Sequence, residues 1–235
     1  MKKLCVFVSS FAAAFLVWLA LPKPPLLDGI SFSQCVRDRN GKLLRVTLSA
    51  DQKFRIWTPL HDISPALLDA TLRFEDKYYR HHPGVNPVAL LRSALNLRPG
   101  HAQNGASTIT MQLARLRYHL RTRTLGGKFV QIVRALELER HYSKDQILEA
   151  YLNLAPYGRN IEGVGAASQI YFGKTAAHLT RPESISLSVI PQSPTRRDAC
   201  ACLVELDAPQ ESFILQCNKG FATLAHAKSR SRGDG

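Results

Sequence analysis

The sequence predicts a mainly α domain with a short β start, carried behind an N-terminal transmembrane helix. Three observations predict it. An uncharged apolar run stands near the N-terminus, one brief stretch alternates apolar and polar residues, and a succession of segments with helical spacing and caps follows. The 235 residues suffice for one sizeable domain with a leader and a tail, and 45% apolar composition supports a packed core.

Lys2 and Lys3 precede an uncharged stretch from Leu4 to Pro22 that ends at Lys23. A helix crossing the hydrocarbon needs roughly 20 apolar residues, and this run reaches that length. The leading lysines place the N-terminus in the cytoplasm. A cleaved signal peptide is the competing interpretation. No small-x-small site follows, however, and Pro22 and Pro24-Pro25 form a stiff exit. Residues 1–23 are therefore expected to be an uncleaved single-pass anchor, with all that follows outside the inner membrane.

Residues 24–59 are expected to form a membrane-proximal segment containing β structure. Leu44, Val46 and Leu48 alternate with polar residues, and Asn40-Gly41 suits a hairpin turn. Ser64-Pro65 then reads as a cap followed by Pro at the first helical position, opening a helix from Ala66 to Tyr79. Asn86-Pro87 does the same for Val88 to Leu97. A polar, Gly-containing loop from Pro99-Gly100 to Ser107 leads into Thr108 to Leu120. Lys128 to His141 carries Ile132, Val133, Leu136 and Leu138 at helical spacing. Ser143 caps Lys144 to Leu154, and Pro182 opens a last helix to Val189. The main domain is set at 60–197, and 198–235 as a divergent tail, partly disordered.

The formal net charge is +13, which favours a polyanionic partner: nucleic acid, anionic headgroups or a phosphorylated substrate. No Asp or Glu occurs between Lys77 and Leu136, whereas ten Lys or Arg do. Such a run is either a solvated face or an anion-handling surface. The anchor argues against nucleic acid. The five cysteines, Cys5, Cys35, Cys200, Cys202 and Cys217, fit no zinc spacing. Free, inert thiols are expected, with a disulfide among the last four open to an oxidising compartment.

Two stretches carry candidate chemistry. In Phe74–Gly84, Glu75 and Asp76 stand at an apolar helix end beside the basic run. A carboxylate there serves either as a general base or as an ordinary ion-pair partner. In Gly105–Arg115, a small-residue loop enters a helix with Ser107 and Thr108 at its start. The loop either binds phosphate on free N–H groups or is a plain cap.

Taken together, these blocks resemble the peptidoglycan glycosyltransferase domain of class A penicillin-binding proteins, from about Leu60 to Arg197. An EDxxFxxHxG pattern appears as Glu75, Asp76, Tyr79, His82 and Gly84, with Tyr in the Phe slot. A GxSTxTxQ pattern appears as Gly105, Ser107, Thr108, Thr110 and Gln112. Lys128, the run Tyr142–Glu149, Tyr151-Leu152-Asn153, Gly158, Gly163, Ala166-Ala167 and Tyr171–Lys174 complete the match. Met111 and Gly126-Gly127-Lys128 are most similar to the family's 1C branch.

The resemblance implies a lysozyme-like fold with a small membrane-proximal jaw, in a single-pass inner-membrane protein with its catalytic domain in the periplasm. It also implies a reaction: the 4-hydroxyl of incoming lipid II attacks the first sugar of the growing chain, releasing undecaprenyl pyrophosphate. Glu75 would take the proton and Asp76 would support it. His82, Ser107, Thr108, Gln112, Arg115, Lys128, Gln131 and Asn153 would bind substrate or pyrophosphate. No protein metal ligand is expected. A divalent cation, Mg²⁺ or Mn²⁺, would help neutralise the leaving group, with no organic cofactor. The partners implied are lipid II, the nascent glycan strand, the inner membrane and other cell-wall synthesis proteins, with no nucleic acid.

There are departures. The family's second Glu is Gln131 here, an amide that cannot hold charge. The Arg before the motif lysine is Gly127, and Glu137 and Glu139 are expected on the helix surface rather than as substitutes. No Ser-x-x-Lys motif follows Arg197, so peptide crosslinking is not expected. The chain then reads as a monofunctional glycosyltransferase or a 1C-type protein cut short before its transpeptidase domain. Two competing functions are a catalytically weak, lipid II-binding scaffold and a glycan-cleaving enzyme of the lysozyme class.

Overall fold

A computed structural model describes residues 22–41, 43–95, 107–158 and 160–191. Most of the expected anchor, the loop through Gly105 and the tail lie outside the described residues. Among the described residues no helix is long and apolar enough to cross a membrane.

The β start is a two-stranded antiparallel hairpin of β1 (Cys35–Arg37) and β2 (Leu43–Val46), with Cys35 opposite Val46. The turn falls at the expected place but one residue early: the Gly41 amide donates to the Asp38 carbonyl at 3.0 Å, so Arg39-Asn40 are central and Gly41 closes it. The Asp38 carboxylate accepts from the Asn40 amide at 2.8 Å, and Arg37 donates to the Gly41 carbonyl at 3.0 Å. Gly41 has φ +80°, a conformation that costs glycine little.

The chain then runs back across the helices. Phe54 bridges to Ile161, and Arg55, only 3% exposed, pairs with Asp51 at 2.9 Å and with Glu162. Burial opposes the Arg55 charge, and the two carboxylates outweigh it. In return the Arg55 hydrogen bond holds Asp51 well below the usual carboxylate range. A charge this deep is tolerated only because it is paired. The network ties the β segment to the loop that precedes residue 163.

Among the described residues seven α-helices make the body: α1 (Pro65–Glu75), α2 (Pro87–Leu95), α3 (Ile109–Arg117), α4 (Leu125–His141), α5 (Lys144–Leu154), α6 (Val164–Phe172) and α7 (Arg181–Val189). α1 packs on α7, while α3 packs on both α4 and α5. The seams are filled by Leu67, Ile109, Leu113, Leu138, Ile147, Leu148, Leu152 and Leu187, all fully buried. Each such side chain contributes about 1.5–3 kcal/mol relative to exposure.

Several boundaries differ from expectation for local reasons. α1 stops at Glu75, four residues before Tyr79, because Asp76 leaves the helix at φ −159°. Ser64 does not cap α1, since its hydroxyl turns to the Leu179 carbonyl at 3.4 Å. α4 begins at Leu125, capped by Thr124, whose hydroxyl accepts from the Gly127 amide at 3.1 Å. α5 matches its expected span, with a full capping box between Ser143 and Gln146. α7 likewise has a capping box, between Thr180 and Glu183.

α6 has no counterpart in the sequence reading. Its first five residues, Val164 to Ser168, are all buried, so it shows no polar face and no periodicity to read. Small residues permit the burial. A Cβ on Gly165 would fall 2.6 Å from the Ile56 carbonyl oxygen, so only glycine lets α6 lie against the 56–58 backbone.

Candidate active site

Glu75 and Asp76 are adjacent but serve different ends. Glu75 is the last residue of α1, and the extended backbone at Asp76 swings the next side chain inward. The Asp76 carboxylate accepts from His82 Nε2, 3.0 Å from both oxygens, and from the Ile109 amide at 3.1 Å. Ile109 is the first residue of α3, so a buried anion sits where a helix N-terminus favours one. His82 is buried too, and its carbonyl accepts from Lys144 Nζ at 2.6 Å. Tyr79 donates to the Lys144 carbonyl at 2.7 Å, which gives the hydroxyl in the Phe slot a partner.

Glu75 is half-buried and points the other way. Its Oε2 accepts from Gln112 Nε2 at 2.7 Å, and Gln112 Oε1 accepts from the Tyr151 hydroxyl at 3.4 Å. Tyr151 and Tyr157 are fully buried beside it. Burial first, and the Glu75 charge second, hold both phenols protonated well beyond their usual range. Gln112 is thus fixed at both ends of its amide, and it fixes Glu75.

The cationic side of the site stands on the same helix. Thr108 caps α3 by accepting from the Met111 amide at 3.2 Å and donates to the Gly84 carbonyl. Gln112 and Arg115, three residues apart, share a face. Arg115 is exposed, and its charge reaches Lys128. Lys128, half-buried on α4, donates to Ser107 Oγ at 2.9 Å and to Gln131 Oε1 at 3.0 Å. Burial, then Arg115, lowers the Lys128 pKa. Gln131 is 2% exposed and donates from Nε2 to the Met111 carbonyl at 2.6 Å.

The structure therefore gathers Glu75, Asp76, His82, Ser107, Thr108, Gln112, Arg115, Lys128 and Gln131 around the start of α3. It does not gather Asn153. That side chain is fully buried: Thr58 donates its amide to Asn153 Oδ1 at 2.9 Å, and Asn153 Nδ2 donates to the carbonyls of Thr58 and Glu149. No polar atom remains for a ligand. Asn153→Ala is expected to orphan both backbone groups of Thr58 and to destabilise the fold by about 2–4 kcal/mol, as calorimetric or chemical unfolding will measure.

Glu137 and Glu139 are not on the helix surface. Glu137 is 4% exposed and pairs with Arg134 at 2.7 Å. Glu139 accepts from Thr110 at 2.6 Å and Lys144 at 2.7 Å, beneath Gly84. The basic stretch is likewise partly spent internally, since Arg80 pairs with Asp145 at 2.9 Å. Cys35 is a free thiol. Sequence reasoning quoted Tyr151 and Lys144 only as motif members and passed over Tyr157. A buried phenol next to a candidate base has no local sequence signal.

The groups that hold Lys128 are a hydroxyl and an amide, with no carboxylate among them. Divalent cations take carboxylate, carbonyl and water oxygens. Among the described residues no group of three His, Cys, Asp or Glu could hold a metal. The position of the family's second acid offers an amide oxygen already facing an ammonium, with Arg115 beyond it. A separate cavity of about 280 Å³, lined in part by Arg37, Trp57, Asp62, Gln169 and His178, contains none of these residues.

The sequence model of the Transglycosylase family matches residues 40–215. Among curated proteins, the chain is 40% identical over 198 residues to penicillin-binding protein 1C of Escherichia coli strain K12, covering 81% of this chain and 25% of that protein. It is 34% identical over 208 residues to penicillin-binding protein 1A of Aquifex aeolicus, covering 83% of this chain and 28% of that protein. It is 42% identical over 145 residues to penicillin-binding protein 1A of Escherichia coli, covering 61% of this chain and 17% of that protein. The chain thus spans about a quarter of the length of these relatives.

Proposed function

This chain belongs to the transglycosylase family of the penicillin-binding proteins, and on that premise we propose that it is a peptidoglycan glycosyltransferase polymerising lipid II, with Glu75 as general base. The observation that carries the proposal is the placement of a carboxylate and a cation clamp against one helix. Gln112 on α3 holds Glu75, while Arg115 on the same helix and Lys128 beside it stand ready for an anion.

The chemistry follows from those positions. Glu75 accepts the proton of the incoming lipid II 4-hydroxyl as its oxygen bonds to C1 of the growing chain's first sugar. The bond from C1 to the pyrophosphate oxygen breaks, and the electron pair leaves with undecaprenyl pyrophosphate. Arg115 and Lys128 neutralise that developing charge, a role worth about 3–4 kcal/mol per fixed donor in comparable sites. Ser107 aims Lys128 and Gln112 aims Glu75. Asp76 and His82 act by position, since they hold the start of α3 rather than reaching the substrate.

A lipid-linked substrate agrees with the apolar N-terminal run and with a periplasmic domain anchored in the inner membrane. The test supplies the purified chain with labelled lipid II and, separately, with intact sacculi. Polymer from lipid II without release from sacculi is the expected result. Soluble fragments from sacculi, with lipid II unchanged, would replace this function with glycan cleavage.

A further inference from the structure

Gln131 is the most deeply buried polar side chain of the cation clamp, and neither the proton transfer nor the bond cleavage uses it directly. It is 2% exposed, and both ends of its amide are committed. The oxygen accepts from Lys128 Nζ at 3.0 Å while the nitrogen donates to the Met111 carbonyl at 2.6 Å. Met111 adjoins Gln112, so a continuous chain of contacts runs from Glu75 through α3 to Lys128 and Ser107.

We propose that Gln131 is a positioning residue that renders the anion site independent of divalent cations, by aiming an uncompensated Lys128 ammonium at the leaving pyrophosphate. The inference rests on the glycosyltransferase function above. An amide meets the two demands together, since it accepts from an ammonium and donates to a carbonyl at once. A carboxylate at 131 would face the Met111 carbonyl with a lone pair and would pair with Lys128, cancelling the charge the site offers. An apolar residue would leave the Met111 contact unmade and Lys128 held by Ser107 alone. Among the described residues neither hydrogen-bond partner of Lys128 is an acid, and the neighbouring charge on it is that of Arg115, also positive. Two cations repel a divalent metal and attract a pyrophosphate directly, and the amide oxygen between them is already taken by Lys128.

The test uses the full chain in detergent, with inorganic pyrophosphate as the probe, titrated calorimetrically in EDTA and in Mg²⁺. The wild type is expected to bind in EDTA within about twofold of its affinity in Mg²⁺. Gln131→Glu is expected to bind about tenfold or more weakly in EDTA, and to recover when Mg²⁺ bridges the new carboxylate to the ligand. Gln131→Leu is expected to weaken binding in both buffers, with no recovery. Thermal melting of each variant separates a lost clamp from a lost fold, and the wild-type arm decides even where a variant fails to fold. Wild-type binding that collapses in EDTA overturns the proposal. So does a folded Gln131→Glu that binds like the wild type there. Lipid II turnover in the same buffers keeps the two claims apart. Polymerisation that needs a divalent cation sinks this inference and spares the glycosyltransferase. Cation-independent pyrophosphate binding without any polymer does the reverse.

Discussion

Replacing Glu75 by Gln is expected to lower kcat for lipid II polymerisation by about 10³-fold, inside the roughly 10²–10⁴ range of a positioned general base. KM and melting temperature are expected to change little. The reasons are local. The amide is nearly isosteric, and its oxygen still accepts from Gln112 Nε2, so the contact seen at 2.7 Å survives. What disappears is the capacity to take a proton, which matters in the transition state and hardly at all when substrate binds. A drop in kcat and kcat/KM together, on a folded protein, is therefore the signature. A large rise in KM with kcat intact would make Glu75 a binding residue instead.

Asp76→Ala is expected to fail differently, by damaging the fold and activity together. The substitution strands His82 Nε2 and the Ile109 amide, both buried, and removes the anion at the start of α3. Breaking a buried charged network of this kind costs about 3–5 kcal/mol. At about 2–4 °C per kcal/mol for a chain of this size, the melting temperature is expected to fall by about 6–20 °C. Activity follows because α3 carries Gln112, which orients Glu75, and Arg115. Asp76→Asn is expected to recover part of the stability, since its one acceptor oxygen serves Ile109 or His82 but not both fully. An Asp76→Ala protein that melts with the wild type would show that this carboxylate does not hold the helix.

Comparison of these two acids shows what could be read from the sequence and what could not. Glu75 and Asp76 stood out together because two acids interrupt an apolar helix end before a basic run. Their division of labour came only from the resemblance, and its physical cause, the backbone angle at Asp76 that turns the two side chains apart, had no signal in the residues themselves. Helices with surface periodicity and caps, such as α5, were legible to the residue. α6 was not, since its leading turns are buried on every side and its small residues answer to the Ile56–Thr58 backbone, distant in sequence. Glu137 and Glu139 were misjudged for the same reason. Their position past the motif placed them outside, whereas Arg134, Thr110 and Lys144 offset their burial with direct contacts. Asn153 lay inside a motif run and so read as a ligand contact, yet its geometry is that of a brace for Thr58. Residues that act on substrate and residues that hold the frame share the same motifs, and spacing cannot separate them.

On the proposed function, one chain couples a proton acceptor at Glu75 to departure of a pyrophosphate beside Lys128. The most direct test measures undecaprenyl pyrophosphate released against disaccharide units polymerised from labelled lipid II by the purified wild-type chain. The two are expected to rise together in a fixed ratio, approaching one release per unit added as strands lengthen, with neither product from Glu75→Gln. A folded wild-type protein that leaves lipid II intact, or that releases the lipid pyrophosphate without lengthening a glycan, would contradict that coupling.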